Sequence, residues 1–411
     1  MEKKKLKILF VTSDRYPPFR PAAKVVFGEE MAKRGHVIDW LLQAEKNCTE
    51  NYSTPYGNGT AYIGKTDDGH SRFARLKKHI YGFLHDLQLL KLTKKNHYDI
   101  IQVKDQYLAA VLAIIVSRIR KIKCCYWLAY PHAEASLYAA RQGIARYRFY
   151  YFLRGSVFKL LLYKIILPLS DHVFVQSEQM KKDIAAYNID EDKMTPIPGS
   201  ISLADIPFEA AQGFPEKPCS GNMIVYLGTL IRARRLDFVI RMMSVVLKEA
   251  PDAKLYLLGK GEMPEDEQLL RDEARSLGIG EHIVFTGFLP MREAWNYIRR
   301  ADVCISPYYP TPILNSTSPT KLIEYMAMGK AVVGNNHPEQ DIVVNESGAG
   351  YCVPWNEKEF AGAVLKIIKN PELAKQMGKK GREYVVNNRV NSTMTDLIEK
   401  QYYRILSLSE E

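Results

Sequence analysis

No apolar run in this 411-residue chain approaches the roughly 18 residues needed to cross a bilayer as a helix. The apolar stretch 8–11 behind the basic N-terminus is far too short for the core of a secretory signal. The expectation is a cytoplasmic chain, peripheral at most to the cytoplasmic face of a membrane. Cysteine is scarce, with six residues at 48, 124, 125, 219, 304 and 352 and no metal-ligand spacing among them. Cys124 and Cys125 fall in a strand-like run that turns them to opposite faces, so the cysteines read as reduced core residues. Paired Cys/His fingers, RNP aromatics and a GxxG loop are all missing, which argues against nucleic acid as a partner. Acid is in deficit: 46 Asp and Glu stand against 57 Lys and Arg, and the net charge of +11 favours anionic partners such as phosphates or an acidic membrane face.

What is present is ample apolar content, 46%, in a chain too long for one compact core. Apolar runs without alternation at 7–12, 36–43, 99–103, 124–129 and 172–176 read as parallel strands covered on both faces, with helices over 25–34, 72–95, 106–120 and 177–187 between them. The pattern stops between about 196 and 222, where Pro196, Pro198, Gly199, Pro207, Gly213, Pro215, Pro218 and Gly221 punctuate the sequence. It resumes with strands at 223–227, 254–258, 282–285, 303–306, 331–333 and 351–353. The fold class is therefore α/β, two Rossmann-like doubly wound domains at 1–200 and 201–389 facing each other across a cleft, with a C-terminal helix in 390–411 returning to the first.

The second half holds the densest candidate chemistry. Ser318 suits an N-cap, Pro319 a first helical position and Gly329 a left-handed C-cap, while Leu322, Ile323, Met326 and Ala327 repeat at helical spacing. A short helix starting at the carboxyl edge of a parallel sheet aims free N–H groups at open space, where an anion belongs. Lys321 adds positive charge there, and Glu324 is the nearest carboxylate. Gly228 ends the first strand of this half and is followed by Thr229, Arg232, Arg234 and Arg235, a set suited to a diphosphate because a guanidinium fork binds oxygens bidentately. Gly259, Lys260 and Gly261 make a second small-residue loop; Phe285, Thr286, Gly287 and Phe288 make a third, where backbone groups can meet a nucleobase edge. Asp190, Glu191 and Asp192 match an acidic metal-binding triplet but fall in a turn of the first half and read as solvated. In residues 144–169, aromatic and aliphatic side chains alternate with Arg146, Arg148, Arg154, Lys159 and Lys164, a composition that fits a helix lying on an anionic membrane.

In this order, Gly228 to Arg235, Gly259 to Gly261, Phe285 to Gly287, Ala301 with Asp302, and Ser318 to Gly329 resemble the nucleotide-sugar domain of the GT-B glycosyltransferases, specifically the retaining GT4 family. In the front half Ile8 to Ser13, Arg34 to His36, His172 to Ser177 and Pro196 to Gly199 extend the likeness over nearly the whole chain. The resemblance implies a metal-independent transferase that uses no cofactor, takes a nucleotide-diphosphate sugar, UDP favoured over GDP, and glycosylates a membrane-linked saccharide or lipid in cell-surface polysaccharide or glycolipid synthesis. It implies donor ribose binding by Glu324, diphosphate binding by Arg234 with Thr320 and Lys321, a histidine near the transferred sugar at His132, and Glu134 on the acceptor side. Gly228, Thr229, Arg232, Arg235, Gly259, Lys260, Gly287, Phe288, Ser316, Ser318 and Pro319 complete the donor side, and Arg20, Pro21 and Ala22 the acceptor side. Three positions depart from the family pattern: Ser316 replaces a glutamate, Thr229 an arginine, and Ala22 with Ala23 a glycine pair. These departures leave two alternatives, a GT-B nucleotide-sugar epimerase and a non-catalytic scaffold binding a nucleotide sugar at the membrane.

Overall fold

A computed structural model describes residues 4–18, 20, 22–67, 71–143, 145–204, 206 and 221–407, without the side chains at 22 and 72–76. Pro21 and Cys219, with Pro207, Gly213, Pro215 and Pro218 of the expected boundary, lie outside the described residues. The chain forms two compact units, Met1–Pro198 with Asn391–Glu411, and Gly199–Val390.

The first unit carries eight strands: Lys7–Tyr16 (β1), Val37–Ala44 (β2), Tyr52–Tyr56 (β3), Gly59–Gly64 (β4), Ile100–Lys104 (β5), Lys123–Leu128 (β6), His172–Val175 (β7) and Met194–Pro196 (β8). Their order is β3-β4-β2-β1-β5-β6-β7-β8, all parallel except the β3–β4 pair. Ile8, Leu9, Phe10 and Val11 are wholly buried, as an unbroken apolar run in a doubly covered strand requires. The β3–β4 hairpin is absent from the sequence reading because Pro55 interrupts its first arm. Proline is tolerated there because β3 is the sheet's edge. The helix expected over 25–34 is a π-helix at Ala22–Met31.

The C-terminal helix Asn391–Ser407 buries Met394, Ile398, Tyr402 and Ile405 in the same core as Phe10, Phe27 and Trp40. Buried polar contacts fix its rotation: the Tyr402 hydroxyl donates to Gln102 Oε1 at 2.7 Å, and Glu399 pairs with His36 at 2.9 Å and Arg34 at 3.0 Å. The 144–169 segment is not one exposed helix. Arg148–Leu161 exposes Phe149, Tyr150, Phe152, Leu153, Val157 and Leu160, whereas Leu162, Tyr163, Ile166 and Leu167 turn inward against Val173 and Val175. No helix among the described residues is long and apolar enough to cross a membrane.

The second unit carries Met223–Leu227 (β9), Lys254–Leu258 (β10), Ile283–Gly287 (β11), Val303–Ser306 (β12), Val332–Asn335 (β13) and Gly350–Val353 (β14), an all-parallel sheet ordered β11-β10-β9-β12-β13-β14. Its winding direction reverses between β9 and β12, the position at which open α/β sheets leave a crevice beyond their carboxyl ends. The helix Thr320–Ala327 joins β12 to β13 and buries Leu322, Ile323, Tyr325, Met326 and Ala327. Gly329 follows at φ +70°, a conformation glycine adopts without strain. The start of this helix differs from expectation: Pro319 is the cap residue, and the Ser318 hydroxyl accepts from the backbone N–H of Gly199 at 2.9 Å instead of capping its own helix. Gly199 packs so close that a Cβ there would lie 2.7 Å from Thr320 Cγ2.

Candidate active site

At the reversal point the ends of β9, β10 and β11 are laced together through glycines. Gly228 N–H donates to Leu258 O at 3.0 Å, Gly259 N–H to Gly287 O at 3.1 Å, and Leu230 N–H to Lys260 O at 3.0 Å. Gly259 sits at φ +144°, and a Cβ on it would lie 2.0 Å from the Gly228 carbonyl oxygen, so only glycine allows this approach. Phe288 leaves the end of β11 with 72% exposure, and Lys260 Nζ lies 6.0 Å from its ring centroid.

The three arginines after Gly228 have separate fates. Arg234 is half-buried; its Nε donates to Thr229 Oγ1 at 3.0 Å and its guanidinium lies 5.7 Å from the Tyr308 ring. Burial would lower its pKa, but Tyr226 and Tyr308 beside it raise it instead and keep the charge in place. Arg235, at φ +52°, turns away and binds Asp237 through two bonds of 3.2 Å. Arg232 is exposed, and its backbone N–H donates to Asp266 Oδ1 at 3.3 Å. The structure therefore places Arg234, and not Arg235, beside Thr229 and Gly228.

Tyr226 and Tyr308 escape the sequence reading. The only available signal was their position, in the last strand turn of β9 and just beyond β12, the two strands at the reversal. Tyr308 is fixed by Asn335, whose Oδ1 accepts from Tyr308 N–H at 2.6 Å and whose Nδ2 donates to Tyr308 O at 2.8 Å.

Helix Thr320–Ala327 approaches the same strand end, since Tyr325 Oη accepts from Leu227 N–H at 2.7 Å. Lys321 and Glu324 pair with each other, Nζ lying 3.0 Å from both carboxylate oxygens, so the lysine does not add an unpaired charge to the helix start. Ser316 is buried and donates to Pro312 O at 3.2 Å, turned toward its own chain.

In the first unit the corresponding reversal falls between β1 and β5. Asp14 is buried there, 3.0 Å from Arg20 Nη1 and 3.9 Å from the buried Lys104 Nζ, which also lies 3.5 Å from Asp105. His132 opens the helix His132–Arg141 and is exposed at the surface, its ring 4.8 Å from that of Tyr130. Partial burial lowers its pKa; Asp105 opposes this, while Arg154, Arg20 and Lys104 add to it, so the ring is neutral near pH 7. Glu134, assigned to the acceptor side, has a buried carboxylate. Both carboxylate oxygens are shut from solvent beside Tyr107 and Tyr163, whose phenols are held protonated by burial and then by this carboxylate. Ala22 begins the π-helix. The acidic triplet forms an exposed turn at Glu191–Lys193, with the Asp190 carboxylate accepting from Asp192 N–H at 2.9 Å.

His337, behind Tyr308, is fully buried; its Nε2 lies 2.8 Å from Leu314 O, and burial lowers its pKa to about 4. The unfolded chain binds a proton there near 6.5 and the folded unit near 4, so stability falls as pH drops through that window. The expected loss is about 2 kcal/mol at pH 5 relative to pH 8. Denaturant titrations at the two pH values should show a loss smaller by this amount in His337→Gln than in the wild type, the remainder including buried His172, whose pKa burial also lowers to about 4.

The family described as glycosyl transferases group 1 matches residues 208–384, and glycosyltransferase family 4 matches residues 26–205. The chain is 24% identical over 296 residues to alpha-monoglucosyldiacylglycerol synthase of Streptococcus pneumoniae, covering 69% of this chain and 62% of that protein. It is 25% identical over 203 residues to a GDP-mannose-dependent alpha-(1-6)-phosphatidylinositol monomannoside mannosyltransferase of Mycolicibacterium smegmatis, covering 49% of this chain and 50% of that one. The chain thus spans less than two thirds of the length of either relative. Sucrose-phosphate synthase from Thermosynechococcus elongatus superposes with a TM-score of 0.70 at 17% identity, covering 98% of this chain and 100% of that chain, a likeness of fold. Two parallel-sheet α/β units of this kind define the GT-B class. The chain belongs to the GT4-like glycosyltransferases of that class.

Proposed function

We propose that the protein transfers a sugar, with retention of anomeric configuration and without a metal ion, from a nucleoside-diphosphate sugar to a hydroxyl of a membrane-linked saccharide or lipid. One observation carries the reading: a charged, half-buried Arg234 held beside the glycine-laced ends of β9 to β11, where Tyr325 of the Thr320–Ala327 helix also reaches. The bond from the anomeric carbon to the diphosphate oxygen breaks, and the acceptor oxygen bonds the same carbon from the same face. The acceptor's proton leaves to the departing diphosphate. Negative charge grows on that diphosphate, and a preorganised guanidinium with helix N–H groups is suited to stabilise it. Glu324, freed from Lys321, has the acceptor oxygens for a ribose diol, and Phe288 offers an exposed face to the base.

The lipid acceptor is supported by the names of both relatives and by the surface of the first unit. From residue 106 to 170 the sequence contains ten Lys and Arg and one acid, Glu134, whose carboxylate oxygens are buried. The exposed aromatic face of Arg148–Leu161 lies within this stretch.

A thermal-shift panel tests the donor site. A nucleotide at a hundred times its Kd stabilises the native state by about 2.7 kcal/mol through mass action. UDP or a UDP-sugar should raise Tm by several degrees and GDP by less. A flat response to every nucleoside diphosphate would end the reading, and free epimerised sugar formed without acceptor would replace it with the epimerase.

A further inference from the structure

We propose that Thr229 and Tyr308 are positioning residues for Arg234, so that this chain aims a single arginine with a hydroxyl and a ring. The inference rests on reading this region as a diphosphate site. A guanidinium on a flexible stem loses rotamer freedom whenever it binds an anion, and that cost falls if the free protein already holds it. Here Thr229, Tyr308 and Tyr226 hold it. Thr229 Oγ1 accepts from Nε at 3.0 Å, which fixes the plane of the fork, and the phenols of Tyr308 and Tyr226 bond the same guanidinium. Tyr308 stands 5.7 Å from the guanidinium carbon and is itself clamped at both backbone atoms by Asn335, which is 1% exposed. Gln340 Nε2 donates to Asn335 O at 3.1 Å, so the clamp is anchored in the core. Thr229 is exposed, and nothing in the packing of the unit requires its hydroxyl.

The test is steady-state kinetics with the donor identified by the thermal-shift panel, together with calorimetric titration of the matching nucleoside diphosphate. Thr229→Val should lower kcat about tenfold while the acceptor KM changes less than twofold, because the aim matters most where charge grows in the transition state. Thr229→Ser should recover most of that loss. Tyr308→Phe keeps the ring and should exceed Tyr308→Leu in kcat by a similar factor, with unchanged melting points showing that the variants fold. If Thr229→Val matches the wild type in kcat and nucleotide affinity, or Thr229→Ser falls as far as Val, positioning is overturned while the donor site stands. If the wild type itself binds no nucleoside diphosphate, both readings fall together.

Discussion

Replacing Arg234 with alanine is expected to lower kcat about a hundredfold, leaving the acceptor KM nearly unchanged. Loss of one preorganised donor to a developing oxyanion costs on the order of 3 kcal/mol, which is that factor in rate. Arg235 and Arg232 are poor substitutes: the first is held by Asp237 through two bonds of 3.2 Å, and the second lies on the exposed surface. The split between kcat and KM is the diagnostic part. A variant that raised KM alone would make Arg234 a ground-state contact, and unchanged turnover would remove it from the diphosphate.

Charge reversal of Arg148, Arg154 and Lys159 to Glu is expected to abolish flotation of the protein with vesicles containing anionic lipid. Each basic side chain near such a surface contributes about 1 kcal/mol, so removing three attractions costs roughly 3 kcal/mol, about a hundredfold in partitioning. The helix that carries them also exposes Phe149 by 80% and Leu160 by 61%, apolar area that water disfavours and a bilayer interface accepts. Neutral vesicles should bind the wild type more weakly than anionic ones. If the wild type stays in the soluble fraction with both, the membrane proposal is refuted although the donor site is untouched.

The strands of both sheets other than β3, β4 and β8 were legible because they are unbroken apolar runs, a signal that survives without any knowledge of neighbours; those three lack it and were not. The helix ending at Gly329 was legible for the same reason, since periodicity and a left-handed stop are local. Its beginning was not. Ser318 has the chemistry of a cap, but its hydroxyl serves Gly199, 119 residues away in sequence, and no local pattern announces such a partner. Arg234 and Arg235 are adjacent and chemically identical, yet the positive φ of Arg235 sends them in different directions, so only coordinates separate them. Tyr308 lay in a proline-broken segment with neither helical nor strand period, where position beyond β12 was the only clue. The burial of the Glu134 carboxylate beside Tyr107 and Tyr163 was equally illegible, since both tyrosines lie far from it in sequence.

The lacing of Gly228, Gly259 and Gly287 carries a consequence for how fast and how selectively a ligand is taken up. Backbone hydrogen bonds continue past the strand ends, so the rim of the crevice is an extension of the sheet instead of a set of loops that must settle around an incoming molecule. Shape is then fixed before encounter: under the proposed donor role, a nucleotide that fits docks without waiting for rearrangement, and one of the wrong outline cannot persuade the rim to adapt.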